Sequence, residues 1–290
     1  MINTFYAPQY GANTIPLSMR KLPLVADEVV KKELAVLRTP QDVENIIHKL
    51  KTVHDADYVD AFVNGIGKLA SSSGLDWSEE IRDGVLWSNA GLLEGVKYVL
   101  TNKLEVGSSL SQGFHHAVAS HGDAFCTFNG LALAASELPD KKIFVLDVDS
   151  HQGNGTAEFT ESLKNLFACS LFRVPFEESI SRGLRKYNRL VYDWSDLEAS
   201  LWEACLMITR FNPDVVIYQA GADAYIKDDL GCGYLTEQEL IERDRTVFKF
   251  LKEMNIPVVF VLAGGYNEQD TVRLHTNTFE VANEIYYKNT

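Results

Sequence analysis

Four short apolar runs, at residues 143–146, 166–170, 215–218 and 258–262, constrain the fold of this chain more than any other feature. They are unbroken rather than alternating, which is the pattern of strands covered on both faces. Helix signals lie between them. Ser195-Asp196-Leu197-Glu198 and Thr236-Glu237-Gln238-Glu239 read as capping boxes, opening helices over roughly 197–209 and 240–254. Thr39-Pro40-Gln41-Asp42 reads as an N-cap followed by proline at the first helical position. Strand-helix alternation of this kind implies an α/β fold with a parallel sheet and right-handed crossovers. No repeat, low-complexity tract or linker interrupts the 290 residues, so they read as a single domain over 1–290.

The polar residues follow from that frame. In open α/β sheets, ligands bind beyond the carboxyl ends of the strands. Asp147, Asp149 and His151 close the first run, and Gly153 and Gly155 then turn the chain toward a helix. Asp223 follows the third run, and Tyr266 follows the fourth after a Gly-Gly pair. Taken alone, the 147–151 stretch fits either a metal site or a solvated carboxylate pair. Three strands delivering Asp, His, Asp and Tyr to one edge favour the metal. Asp149, His151 and Asp223 form a set suited to Zn²⁺ or Fe²⁺ with a position left open. A set carrying two negative charges acidifies bound water weakly, so a general base is useful. His115-His116, in a glycine-flanked apolar loop, supply one. Asp147 and Asn154 are available to orient them. His121 reads as a loop residue, and His48, His54 and His275 read as structural residues in helical patterns.

Composition sets the outer limits. Forty Asp and Glu against 27 Lys and Arg give a net charge of -13, which supplies no footprint for nucleic acid. The same charge suits a cationic substrate and equally suits plain solubility. The first twenty residues lack an apolar core of signal-peptide length, and no apolar run is long enough to span a bilayer. Cys126, Cys169, Cys205 and Cys232 lack metal-type spacing and read as free thiols. An intracellular, cytoplasmic protein with no membrane partner is expected. The oligomeric state is not legible.

Gly113-Phe114-His115-His116-Ala117, Phe125-Cys126-Thr127-Phe128-Asn129, Asp147 to Gly155, Ala220-Gly221-Ala222-Asp223 and Gly264-Gly265-Tyr266 together resemble the histone deacetylase family, in order and spacing. Val53 to Val59 resembles its N-terminal motif, and the likeness runs from about residue 35 to the C-terminus. Gln152, Asn154 and the short Gly-Gly-Tyr motif look most like the class IV branch and its small prokaryotic relatives. The resemblance implies an arginase/deacetylase fold with a parallel sheet of about eight strands flanked by helices. It implies hydrolysis of an acylated amine, with Asp149, His151 and Asp223 as zinc ligands and His115-His116 as the dyad. His116 would be the base, oriented by Asn154, with Asp147 behind His115 and Tyr266 polarising the carbonyl. Phe125, Gly264 and Phe176 would meet the substrate, and Asp147, Ser170 and Leu171 would hold a structural potassium ion. Arg20 is the candidate for the family's inner-channel arginine. The substrate would be an acylated lysine in a protein or peptide. The alternatives are an acetylpolyamine-type small acylamine, with Glu177, Glu178, Asp228 and Asp229 as rim acids, a long-chain acyl-lysine, or a non-catalytic reader of acyl-lysine.

Overall fold

A computed structural model describes residues 1–14, 17–176 and 182–288. Its strands are β1 (Ile2–Phe5), β2 (Ala35–Arg38), β3 (Val106–Ser109), β4 (Ile143–Asp147), β5 (Leu166–Phe172), β6 (Arg182–Gly183), β7 (Lys186–Leu190), β8 (Val215–Gln219) and β9 (Val258–Val261). Its helices are α1 (Lys21–Lys31), α2 (Ile46–Leu50), α3 (Ala56–Asn64), α4 (Glu79–Asn102), α5 (Gly130–Glu137), α6 (Asn154–Phe159), α7 (Trp194–Phe211), α8 (Glu237–Glu253) and α9 (Thr271–Asn283). The strands join in one sheet of order β2-β1-β3-β9-β8-β4-β5-β7-β6. Eight of them run parallel, and the two-residue β6 pairs antiparallel to β7 at the edge.

The four expected strands are β4, β5, β8 and β9. All four lie in the middle of the sheet and are buried along their length. Their side chains alternate between two apolar layers. Ile143, Val145, Val215, Ile217, Val259 and Val261 pack with residues of α4 and α5. Phe144, Leu146, Val216, Tyr218, Val258 and Phe260 join the larger core, which includes residues of α7, α8 and α9.

Strand order then decides where a site can form. From β4 the chain crosses to β5 on one side, and from β8 it crosses to β9 on the other. The connections diverge between β4 and β8, so a crevice opens beyond their carboxyl ends.

Two helix starts differ from expectation. Asp193, not Ser195, caps α7 by accepting from the Asp196 N–H at 3.0 Å, which leaves Ser195 inside the first turn. No helix begins at Thr39. The N–H groups of Gln41 and Asp42 donate instead to the Glu94 carboxylate on α4, and α2 starts at Ile46. The Thr236 capping box forms as read.

Candidate active site

The crevice is lined by the loops that leave β3, β4, β8 and β9. Backbone amides aim the carboxylates that enter it. Asp149 accepts from the N–H groups of His151 (3.0 Å) and Gly264 (2.7 Å), and Asp223 accepts from Ser150 N–H (2.9 Å). The buried Arg243 donates to the Gly221 carbonyl at 2.6 Å and so steadies the segment that carries Asp223. His151 Nδ1 lies 3.1 Å from Asp149 and 2.9 Å from Asp223. One ligand atom from each of the three residues falls within 4.8 Å of the others.

This donor set fits a divalent cation. Burial raises the Asp223 pKa, the neighbouring Asp149 charge raises it further, and it reaches about 7. Burial disfavours the His151 cation, but hydrogen bonds to the two carboxylates overcome it and lift the pKa to about 11. Crowded carboxylates thus demand a positive charge between them, which a proton or a metal ion can supply.

The dyad stands beside this set. His115 and His116 have ring centroids 3.9 Å apart, and the His116 ring is 6.1 Å from that of His151. Their partners differ in charge, and so do their pKa shifts. His115 Nδ1 meets Asp147 at 2.8 Å, and despite burial the charges of Asp147 and Asp149 raise its pKa. His116 Nδ1 meets the Asn154 amide oxygen at 2.7 Å. Burial and the adjacent His115 charge lower its pKa well below 6.5. With Nδ1–H donating to Asn154, a neutral His116 keeps a free lone pair on Nε2.

Gly155 makes this geometry possible. A Cβ there would sit 2.4 Å from the Ala117 carbonyl and 2.7 Å from the His116 backbone. Its neighbour Thr156 donates its N–H to the His115 carbonyl at 3.1 Å.

Tyr266 approaches Phe125 edge-on at 6.1 Å between centroids. Phe176, partly exposed, stacks on His116 at 3.9 Å and 21°. Gly264 lies against the metal-set carboxylates, with its N–H on Asp149. Ser170 pairs in register with Asp147, and its hydroxyl accepts from Gly153 N–H at 3.0 Å. Leu171 is buried next along β5.

Several residues stand elsewhere than the sequence suggested. Arg20 forms a surface ion pair with Glu268. Its neighbour Lys21 is buried instead, and the Lys21 Nζ donates to the carbonyls of Ala263 (2.6 Å) and Gly265 (3.3 Å). Asp228 is not a free rim acid, because four backbone N–H groups occupy its carboxylate. Asp229 is exposed, and Glu177 and Glu178 lie outside the described residues. His54 lies beyond the end of α2 and is buried. Its ring links Val118 O (2.8 Å) to Asn129 N–H (2.9 Å). Asn129 then caps α5 and donates to Ala117 O and Thr156 Oγ1, tying the dyad loop to α6. His48 on α2 is exposed, His275 on α9 is buried, and His121 is an exposed loop residue.

An open parallel sheet with an Asp-His-Asp set and a histidine pair at its switch point defines a hydrolase of the deacetylase type. Comparison with known proteins agrees. A histone deacetylase domain model matches residues 15–282, and the chain belongs to the histone deacetylase family. An uncharacterized protein of Picosynechococcus is 28% identical over 255 residues, covering 82% of each chain. Histone deacetylase 2 of Arabidopsis thaliana is 30% identical over 168 residues, which is 54% of this chain and 43% of that protein. Human histone deacetylase 1 is 25% identical over 67% of this chain and again 43% of its own length. The chain thus matches less than half the length of those two relatives. An acetylpolyamine aminohydrolase from Burkholderia pseudomallei shares the fold, with a TM-score of 0.82 at 17% identity over 98% of this chain and 99% of that one. Among the described residues, no helix is long and apolar enough to cross a membrane.

Proposed function

We propose that the chain acts as one catalytic domain that hydrolyses the amide bond of acyl-lysine in a protein or peptide. The observation that carries this reading is the meeting of the Asp-His-Asp set and the histidine dyad, with the His116 and His151 rings 6.1 Å apart. The histone deacetylases among its relatives support lysine as the amine. A divalent ion held by Asp149, His151 and Asp223, zinc in preference to iron, would supply Lewis acidity and a more acidic water. The chain's own residues supply the rest. His116, neutral and bare at Nε2, takes the proton of the attacking water. His115, paired with Asp147, assists electrostatically or in proton transfer beside the reacting atoms. Burial and the charges of Asp149 and Asp223 hold the Tyr266 pKa well above 10, so the phenol keeps its proton. It donates that O–H to the carbonyl oxygen as negative charge develops there. The protonated dyad returns a proton to the leaving amine.

Phe125 and Phe176 serve in this reading as walls of the acyl-lysine channel, with Gly264 near its floor. A structural potassium ion on Asp147, Ser170 and Leu171 belongs to the same proposal, supported by the burial of all three and the Asp147–Ser170 register. So does a cytoplasmic location, supported by four free thiols.

The test is turnover of zinc-loaded protein on acetyl-lysyl peptide, myristoyl-lysyl peptide and acetylpolyamine, with a hydroxamate control. The acetyl-lysyl peptide is expected to give the highest kcat/KM and to be inhibited by hydroxamate. A preference for acetylpolyamine or myristoyl-lysine would change the substrate, and no hydrolysis of any of them would end the proposal. Tyr266→Phe is expected to lower kcat about 10²-fold while peptide binding persists. A non-catalytic reader would show binding and no turnover in either protein.

A further inference from the structure

Tyr266 stands on a turn whose backbone is held by charged side chains from other elements. Among the described residues the phenol has no hydrogen-bond partner, and its ring stands edge-on to Phe125 with the Lys21 ammonium 5.6 Å from its centroid. The backbone of the turn is held from two sides. Lys21, on α1, takes the carbonyls of Ala263 and Gly265. Asp228, in the loop after β8, takes the amides that follow. Its Oδ2 accepts from Tyr266 N–H at 2.7 Å and Asn267 N–H at 3.2 Å. Its Oδ1 accepts from Leu230 at 3.1 Å and Gly231 at 2.9 Å, closing its own loop. One oxygen therefore serves the loop and the other serves the turn. The turn needs such help, since Ala263 is held at φ +54°, a left-handed conformation that alanine keeps only where its surroundings impose it.

We propose that Asp228 is a positioning residue for Tyr266, its carboxylate fixing the turn from which the phenol reaches the reacting carbonyl, with Lys21 as its counterpart on the carbonyl side. The proposal rests on the amide-hydrolysis reading above. A turn free to drift by about 1 Å would cost the phenol its alignment, and losses on the order of 10²-fold attend errors of that size.

Asp228→Asn keeps the shape of the side chain but replaces one acceptor oxygen by a donor. Kinetics on acetyl-lysyl peptide are compared in the natural and Tyr266→Phe backgrounds, alongside zinc content, melting temperature and amide hydrogen exchange. In the natural background kcat is expected to fall about tenfold or more with KM within about twofold. On Tyr266→Phe the same change is expected to cost less than about twofold, because the group it positions is gone. Lys21→Met should repeat the pattern and Lys21→Arg should recover most of the loss. Zinc content should be unchanged, and exchange should quicken in peptides containing Tyr266 and Asn267 but not in α8. Equal losses in both backgrounds, or no loss at all, overturn the proposal. A natural protein without turnover on any acylated amine overturns the functional reading, while unchanged exchange at the turn overturns the Asp228 contact itself.

Discussion

His54 shows how much of this site depends on a single neutral ring outside it. Its two nitrogens join the dyad loop at Val118 to Asn129, and only a neutral imidazole can donate at Nδ1 and accept at Nε2 together. Burial holds its pKa at about 4, below the ordinary 6.5, against the opposing effect of the Val118 carbonyl. The unfolded chain therefore binds a proton between pH 6.5 and 4 that the folded chain refuses. Stability from this group is complete above pH 6.5 and falls by roughly 3 kcal/mol as pH drops through that window. Urea denaturation between pH 7 and 5 should show a steeper loss in the natural protein than in His54→Gln. Equal slopes would contradict the assignment. Residues of this kind were illegible in the sequence. His54, Lys21 and Asp228 each act on backbone groups far away in the chain, and no local pattern records such a partner. By contrast Asp149, His151 and Asp223 follow the ends of central strands, so the meeting of these three could be read from the strand-end rule.

At the scale of elements, legibility followed burial. β4, β5, β8 and β9 carry their own apolar signal because both faces are covered. β3, with the sequence Val-Gly-Ser-Ser, is as buried as they are, yet its small polar residues carry no apolar signal. β7, Lys-Tyr-Asn-Arg-Leu, is half-buried near the edge, and its neighbour β5 decides its conformation. The helix start was legible at Thr236, where the reciprocal cap forms, and misread at Ser195, where Asp193 caps instead, and at Thr39, where a distant carboxylate, Glu94, satisfies the amides. Thr236→Ala should cost about 1 kcal/mol in denaturant unfolding without affecting the site. Gly155→Ala should do the reverse of what helix propensity suggests. The added methyl meets the Ala117 carbonyl and the His116 backbone, so stability should fall by about 1–3 kcal/mol and activity with it. A Gly155→Ala protein as stable and active as the natural one would contradict the close approach.

For the whole molecule, the switch point concentrates buried negative charge that one cation can neutralise. A metal bound only by the folded chain raises its stability by mass action, about 2.7 kcal/mol at a hundred times the dissociation constant. Melting temperature should therefore rise with added Zn²⁺ and fall with a chelator, and Asp149→Asn should abolish most of that response. A melting temperature indifferent to metal would remove the premise of the site. The central claim, that Asp149, His151 and Asp223 hold the ion that makes this chain an amide hydrolase, is tested most directly by titrating Zn²⁺ into chelator-stripped protein while following acetyl-lysyl peptide hydrolysis. Activity should be absent at the start and rise to a plateau at one equivalent. Activity that survives stripping, or that never appears at any zinc loading, would contradict it.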